Sequence, residues 1–458
     1  MKIYNTMSGK KEDLIPLKDK EINMYVCGPT VYNYIHIGNA MPLIIFDTFR
    51  RYLKYKGYKV KYVQNITDVD DKIIKRMNEE GKSFEEVVDF YIKAFKEDAK
   101  NLGVEDPDVE PRVSMEIDEI IKFIQDLIDK GYAYVVNGDV YYDISKFKDY
   151  GKLSKKKIDD LIADHRVESV NEKRNPGDFA LWKAMKPGEP YWESPWGKGR
   201  PGWHIECSTM SNKYLGKTLD IHAGGMDLIF PHHENEIAQS EARNGVEFSK
   251  YWMHNAHMNM NGEKMSKSLG NIKLVREVLK EFSGEVVRYF FLSKHYRSTI
   301  DYSYEALEAS RSSLERVYNY LDEIEKKYEI PSNPKIIKLK GFLEKFENAL
   351  DDDFSTGRGI AVVFEVINYT KEKEEKEIYV ESYHLIKNIF GKILGLFNRE
   401  NNGDTKTEEL MEILLDVRKE LRNKKIWDLA DLIRDKLNNM GIEIKDTKEG
   451  TSWRFKIK

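Results

Sequence analysis

Short apolar runs and amphipathic stretches divide the 458-residue chain into regions with different periods. Met24 to Cys27 is a short apolar run that reads as a buried strand. Gly28 and Pro29 break it, and the stretch from about Met41 to Tyr55 has the spacing of an amphipathic helix. Lys59 to Thr67 then predicts a second strand. Two strands joined by a helix make a βαβ unit with a parallel pair. Helical spacing recurs from about Ser83 to Asp98 and Ser114 to Lys130, and Val135 to Val140 reads as a hairpin. Gly151 to Gly202 is rich in Pro, Gly, Trp and Lys and reads as a loop-rich insertion. Strand patterns resume at Thr218 to His222 and Tyr251 to His254, with a helix expected from His232 to Arg243 and Pro231 at its start.

After about Ser303 the pattern becomes helical throughout. Leu314, Val317, Tyr318, Leu321 and Ile324 share one face, and the region to about Asn398 predicts a helix bundle. A linker is expected at Asn401 to Lys406. Two helices follow, Glu408 to Asn423 and Ile426 to Met440, then a strand-like pair at Ile442 to Lys445 and Thr451 to Lys456. The expected fold class is α/β: a Rossmann-type nucleotide-binding catalytic domain with an insertion, then a helix bundle and a small α/β C-terminal module.

Composition narrows this picture only a little. Charged residues are abundant and nearly balanced, with a net charge of -4, so the chain as a whole is not basic. RNA binding would have to use local patches. No apolar run approaches the roughly 20 residues of a membrane span, and the first residues lack the apolar core of a signal peptide. Cys27 and Cys207 are the two cysteines. Free thiols or metal ligands in a reducing cytoplasm are the expectation rather than a disulfide.

Several residues can carry chemistry. The strand–turn–helix at Met24 to Asn39 offers free backbone N–H groups and a helix N-terminus, where phosphate binds well. Asp68, Asp70 and Asp71 follow a strand and read either as ligand contacts or as helix caps. His232 and Glu236, at i and i+4, fall on one helix face and could reach one metal ion. Arg418, Arg422, Lys424 and Lys425 cluster near Trp427, a mixture that suits single-stranded RNA or merely a solvated helix face.

Two motifs then give a resemblance. Cys27-Gly-Pro-Thr-Val-Tyr followed by His36-Ile-Gly-Asn39, with Lys264-Met-Ser-Lys-Ser268 later in the chain, is similar to the class I aminoacyl-tRNA synthetases, specifically those for cysteine. The resemblance covers essentially the whole chain. It departs at Asn39, where the family's His-Ile-Gly-His motif ends in His. Asn can donate a hydrogen bond to phosphate but carries no charge.

The resemblance implies activation of L-cysteine by ATP to cysteinyl-adenylate and transfer to the 3′ end of tRNA-Cys, in a cytoplasmic monomer with no membrane association. It implies one Zn2+ per chain on Cys27, Cys207, His232 and Glu236, and Mg2+ with the ATP. Zinc prefers a thiolate to a neutral hydroxyl, which would separate cysteine from serine. Four protein ligands usually mark a closed site, so substrate binding would require five-coordination or release of Glu236. His36, Asn39, Lys264 and Lys267 are the expected catalytic residues. Thr30, Gly38 and Asp227 join them around ATP, and Gly28, Thr67 and Trp203 enclose the amino acid. Arg422, Asp431 and Asp446 are the expected anticodon readers, with Trp427 or Trp453 as stacking surfaces. The implied division is 1–113 and 203–260 for the two catalytic halves, 114–202 for an insertion at the tRNA acceptor end, 261–303 for a stem-contact region with the lysine loop, 304–400 for the bundle and 401–458 for the anticodon module. A related ligase that passes activated cysteine to an amino sugar resembles only the catalytic part. An RNA-binding paralogue without catalysis would not need Lys264 to Ser268 intact.

Overall fold

A computed structural model describes residues 1–156, 173–260, 262–264, 272–332, 334–398, 405–447 and 450–455. At its centre is a four-stranded parallel sheet in the order Ser249–Asn255, Leu219–Gly225, Glu21–Val26, Lys59–Gln64. Most residues of its strands are buried because both faces are covered. Successive side chains still alternate. Ile22, Met24 and Val26 join one core with the helix Ile37–Tyr55 and the bundle. Tyr25, Val63, Leu219 and Trp252 join the other, with the helices Ile117–Asp129, Trp203–Leu215 and Glu234–Asn244. The βαβ unit read from the sequence is present, its crossover being the helix Ile37–Tyr55.

Asp70 caps the helix Asp71–Glu80 by accepting from the Lys72 N–H, and both oxygens of Asp68 are bonded by Ser114. These two carboxylates therefore hold the chain at the sheet's edge. The hairpin expected at Val135 to Val140 is present, and the stretch expected to be a loop-rich insertion adds two strands to it. Ala133–Val136, Asp139–Tyr142, Phe179–Ala184 and Gly199–Pro201 form a four-stranded antiparallel sheet. Its first hairpin turns at Asn137 and Gly138, both at positive φ as a two-residue turn requires. Strands this short have too few residues to stand out in a Pro- and Gly-rich background.

The helix Trp203–Leu215 escapes a pattern reading because it has no apolar stripe. It buries Glu206, Ser208, Thr209 and Ser211 along with Ile205, Cys207 and Met210. The N-terminal hairpin, Lys2–Asn5 with Lys10–Asp13, also carries no strong alternation. The helix expected from His232 starts at Glu234. Ahead of it Ile229–His233 makes one wide turn, with Phe230 extended.

The bundle consists of Tyr304–Lys327, Lys340–Asp351, Thr356–Lys373, and the run from Lys376 to Leu394. It is fastened to the catalytic core by Arg288, which is fully buried. Arg288 bonds Asp47 and Thr48 on the helix Ile37–Tyr55, the Gly103 carbonyl, and the Leu394 carbonyl of the bundle. At the C-terminus Thr405–Asn423 and Trp427–Asn439 pack on the hairpin Ile442–Thr447 and Gly450–Phe455. No helix among the described residues is long and apolar enough to cross a membrane.

Candidate metal and nucleotide site

Ligands collect at the C-terminal ends of parallel strands, and four chain segments converge there. Cys27 follows Glu21–Val26, and Asn65 and Thr67 follow Lys59–Gln64. His222 lies within Leu219–Gly225, and His254 lies near the end of Ser249–Asn255. The helix Trp203–Leu215 brings Cys207 to the same place, and the turn before Glu234–Asn244 brings His232 and His233. The ligand atoms of Cys27, Cys207, His232 and Glu236 lie within 4.8 Å of one another. Within that group the two sulfurs are 3.9 Å apart, Cys27 Sγ is 3.7 Å from Glu236 Oε1, and His232 Nε2 is 3.1 Å from the same oxygen.

This donor set fits zinc. It holds two thiols, an imidazole and a carboxyl, and Cys207, His232 and Glu236 are buried. Burial pushes the Cys27 thiol up, and Cys207 and Glu236 beside it add to the effect. Burial likewise holds the Glu236 carboxyl well above the carboxylate range and the His232 imidazole well below its ordinary value. A divalent cation would reverse the penalty on the anionic forms.

The surrounding histidines were not foreseen. His204 Nδ1 is 3.0 Å from His232 Nδ1, which would fix the imidazole whose Nε2 faces the metal. His222 Nε2 holds the other Glu236 oxygen at 2.8 Å. His233 Nδ1 meets His254 Nε2 at 2.8 Å, and His254 Nδ1 meets Thr6 Oγ1 at 2.8 Å. Burial lowers His222 and His254 to about 3, so both are neutral. A second group, Cys27, His222, His233 and Glu236, also brings its ligand atoms together. It shares two members with the first and has one sulfur fewer. For His254 the available signal was position, near a strand's end on the ligand edge; His222 lies mid-strand and gave none.

A cavity of about 550 Å³ opens beside the metal group. Thr30, His36, Gly38, Asn39, Asp227 and Trp203 line it, as do Cys27 and Gly28. His36 is the N-cap of Ile37–Tyr55, and Asn39 Oδ1 accepts from the His36 N–H at 3.1 Å. That bond leaves the Asn39 amide nitrogen as its donor toward the cavity's chemistry. Pro42 has no N–H to give the Gly38 carbonyl, so one more polar backbone group stays available at this end of the helix. Gly225 leaves room for the Asp227 carboxylate, since a Cβ there would lie 2.4 Å from Asp227 Oδ1 and push that side chain aside. Trp203 stacks on His232 with centroids 4.2 Å apart and so joins the metal group to the cavity wall. Lys72 and His257 also line the cavity, and the sequence pattern did not single them out.

Thr67 does not stand on that wall. It is 2% exposed, and its hydroxyl donates to Glu206 Oε2 at 3.1 Å. Lys264 pairs through its backbone with Asn259, one residue from the cavity-lining Met258. Lys267 lies outside the described residues, as does residues 401–404 of the expected linker.

In the terminal module Arg418 holds both oxygens of Asp446, at 2.9 and 3.0 Å. Arg422 and Thr451 bond the same carboxylate. Arg418 holds that carboxyl far below the usual range, with Thr451 and Arg422 adding to the effect. Asp446 is thus committed to its neighbours, and it orients Arg422. Asp431 is exposed and makes no ion pair among the described residues, while Trp427 is 53% exposed.

Comparisons with known proteins agree across the chain. The family model for the class I tRNA synthetase (C) catalytic domain matches residues 13–312, and that for the DALR domain matches residues 345–398. The cysteine–tRNA ligase of Thermosipho melanesiensis is 51% identical over 459 residues, covering 99% of this chain and 98% of that protein. The cysteine–tRNA ligase of Clostridioides difficile is 51% identical over 463 residues, covering 99% and 100%. That of Thermococcus gammatolerans is 50% identical over 472 residues, covering 99% of each. Among solved structures, the Mycobacterium tuberculosis methionyl-tRNA synthetase with methionyl-adenylate superposes with a TM-score of 0.61 at 13% identity. It covers 86% of this chain and 94% of that one. A LeuRS–tRNA–LeuAMS complex of Agrobacterium radiobacter gives 0.61 at 13% identity, covering 84% and 85%. At that identity the likeness concerns the fold.

Proposed function

The chain belongs to the cysteine–tRNA ligases of the class I aminoacyl-tRNA synthetases, and on that premise we propose that it selects cysteine by coordinating the substrate's thiolate to a zinc ion. The observation that carries this reading is the approach of Cys27, Cys207, His232 and Glu236 to within 4.8 Å beside the nucleotide cavity. Zinc bound there would stabilise a thiolate far better than a neutral serine hydroxyl. Trp203, stacked on His232, closes the amino acid against the metal group, and Gly28 lets the loop pass close to it.

The activation step joins the cysteine carboxylate to the α-phosphate of ATP and releases pyrophosphate. His36 and the Asn39 amide offer donors from one side of the cavity, and Lys264 and Lys267 close over the phosphates from the other. Thr30 and Gly38 flank the triphosphate, Asp227 accepts from the ribose hydroxyls, and Mg2+ accompanies the ATP. The second step moves cysteine to the terminal adenosine of tRNA-Cys. Residues 1–113 and 203–260 do the chemistry, 114–202 contact the acceptor end, and 261–303 carry the lysine loop and contact the stem. The bundle 304–400 spans to the module 401–458. There Arg422 and Asp431 face the anticodon bases, Asp446 orients Arg422, and Trp427 or Trp453 offers a stacking surface. The enzyme works as a cytoplasmic monomer.

Charging assays test the reading. Purified protein should attach cysteine to tRNA-Cys and show cysteine-dependent ATP–pyrophosphate exchange, with one zinc per chain. Exchange without charging would point instead to a ligase with another acceptor. Charging without bound metal would leave the family assignment standing and overturn the zinc reading.

A further inference from the structure

Cys27 and Cys207 come from two elements, the loop after Glu21–Val26 and the helix Trp203–Leu215. A third segment, 65–67, sits between them. Asn65 Oδ1 accepts from the Gly28 N–H at 2.9 Å and lies 3.7 Å from Cys207 Sγ. Asn65 Nδ2 donates to Thr67 Oγ1 at 3.1 Å, and that hydroxyl donates to Glu206 Oε2 at 3.1 Å. Asn65 and Glu206 are 0% exposed. The backbone strengthens the link: Thr67 N–H donates to the Pro29 carbonyl and Val31 N–H to the Thr67 carbonyl, both at 3.1 Å. The approach is so close that a Cβ on Gly28 would lie 1.6 Å from the Asn65 carbonyl oxygen.

This wiring fixes which way the Asn65 amide faces. Its oxygen must stay on the Gly28 and Cys207 side, and its nitrogen on the Thr67 side. An apolar residue of similar size would fill the space but leave the half-buried Gly28 N–H and the buried Thr67 hydroxyl short of partners. We propose that Asn65 is a positioning residue for the metal pair: its amide, aligned through Thr67 and Glu206, sets the spacing of Cys27 and Cys207. The proposal rests on the zinc reading above.

Asn65→Ala and Thr67→Val in the full-length protein test the proposal by competitive zinc titration, Co2+ absorption spectra, and KM for cysteine and for ATP. Thermal melts with zinc report folding. In Asn65→Ala, zinc affinity should fall about 10- to 100-fold, as for lost partners of metal ligands. The Co2+–thiolate band should shift, and KM for cysteine should rise while that for ATP stays within about twofold. Thr67→Val should change the same quantities in the same direction by a smaller factor. Should Asn65→Ala fail to fold, Thr67→Val decides alone. Folded variants with wild-type zinc affinity and Co2+ spectrum would overturn the proposal, as would equal losses for cysteine and ATP. Wild-type protein without stoichiometric zinc would instead overturn the reading on which it rests.

Discussion

Cysteine and serine differ by one atom, and packing alone separates near-isosteres only weakly. Selection must therefore fall on residues that bind sulfur differently from oxygen, and on the proposed reading Cys27, Cys207, His232 and Glu236 would do so through a metal. Replacing Cys207→Ser should empty the site and raise KM for cysteine before it affects ATP binding. Elemental analysis with substrate titrations checks this, and retained zinc would contradict it. At the other end of the chain, Arg422 is held by Asp446 and keeps further N–H donors. Guanine offers two acceptors that suit a guanidinium, so Arg422→Ala should cost transfer to tRNA about 1–3 kcal/mol. Cysteine-dependent exchange should be unaffected, and charging of tRNA with that guanine replaced should no longer be penalised as in the wild type. The His232–Glu236 spacing was legible in the sequence. The partners His204, His222, His233 and Asn65 were not, because each touches the site through the tertiary fold rather than through local spacing.

Elements with a clear period were read from the sequence closely, and elements without one were missed. The crossover helix and its flanking strands needed only alternation and a Gly-Pro break. The helix Trp203–Leu215 has polar residues facing the interior, as a helix that serves a buried site must, and so presents no stripe to find. Thr67 looked like a cavity residue because it ends a strand; the loop 29–31 covers it by backbone hydrogen bonds. The lysine loop follows a two-residue strand paired with Met258–Met260. On the proposed reading it brings charge over the phosphates as pyrophosphate leaves. Lys267→Ala should slow adenylate formation about 100- to 1,000-fold, as for lost transition-state donors, with little change in cysteine affinity. Rapid-quench kinetics showing the reverse pattern would make the loop structural.

Across the whole molecule, the junction between catalytic core and bundle depends on a buried charge pair. Burial pushes Asp47 up, but Arg288 and Arg51 outweigh it and hold the carboxyl below its ordinary value. A carboxylate depressed in the folded state contributes stability that is present above its unfolded pKa, about 4, and lost as pH falls through the lower folded value. Asp47→Asn should therefore destabilise the protein at neutral pH by about 3 kcal/mol, as for one broken buried pair. The gap from wild type should narrow on acidification below about pH 4. Denaturant melts from pH 7 to pH 3 measure both, and parallel curves would contradict the assignment. The succession from a parallel-sheet region to a helical one was legible from composition and period. This junction was not, because Arg288 reads in sequence as one more helix charge. Arg288 ties the bundle's Leu394 carbonyl to the crossover helix that begins at His36 beside the cavity.

On the proposed reading, the substrate's sulfur binds a metal held by Cys27, Cys207, His232 and Glu236. X-ray absorption at the zinc edge, with and without L-cysteine, tests it most directly. The account predicts two sulfur neighbours in the free enzyme and three with cysteine, with serine leaving the spectrum unchanged. An unchanged sulfur count on adding saturating cysteine would contradict it.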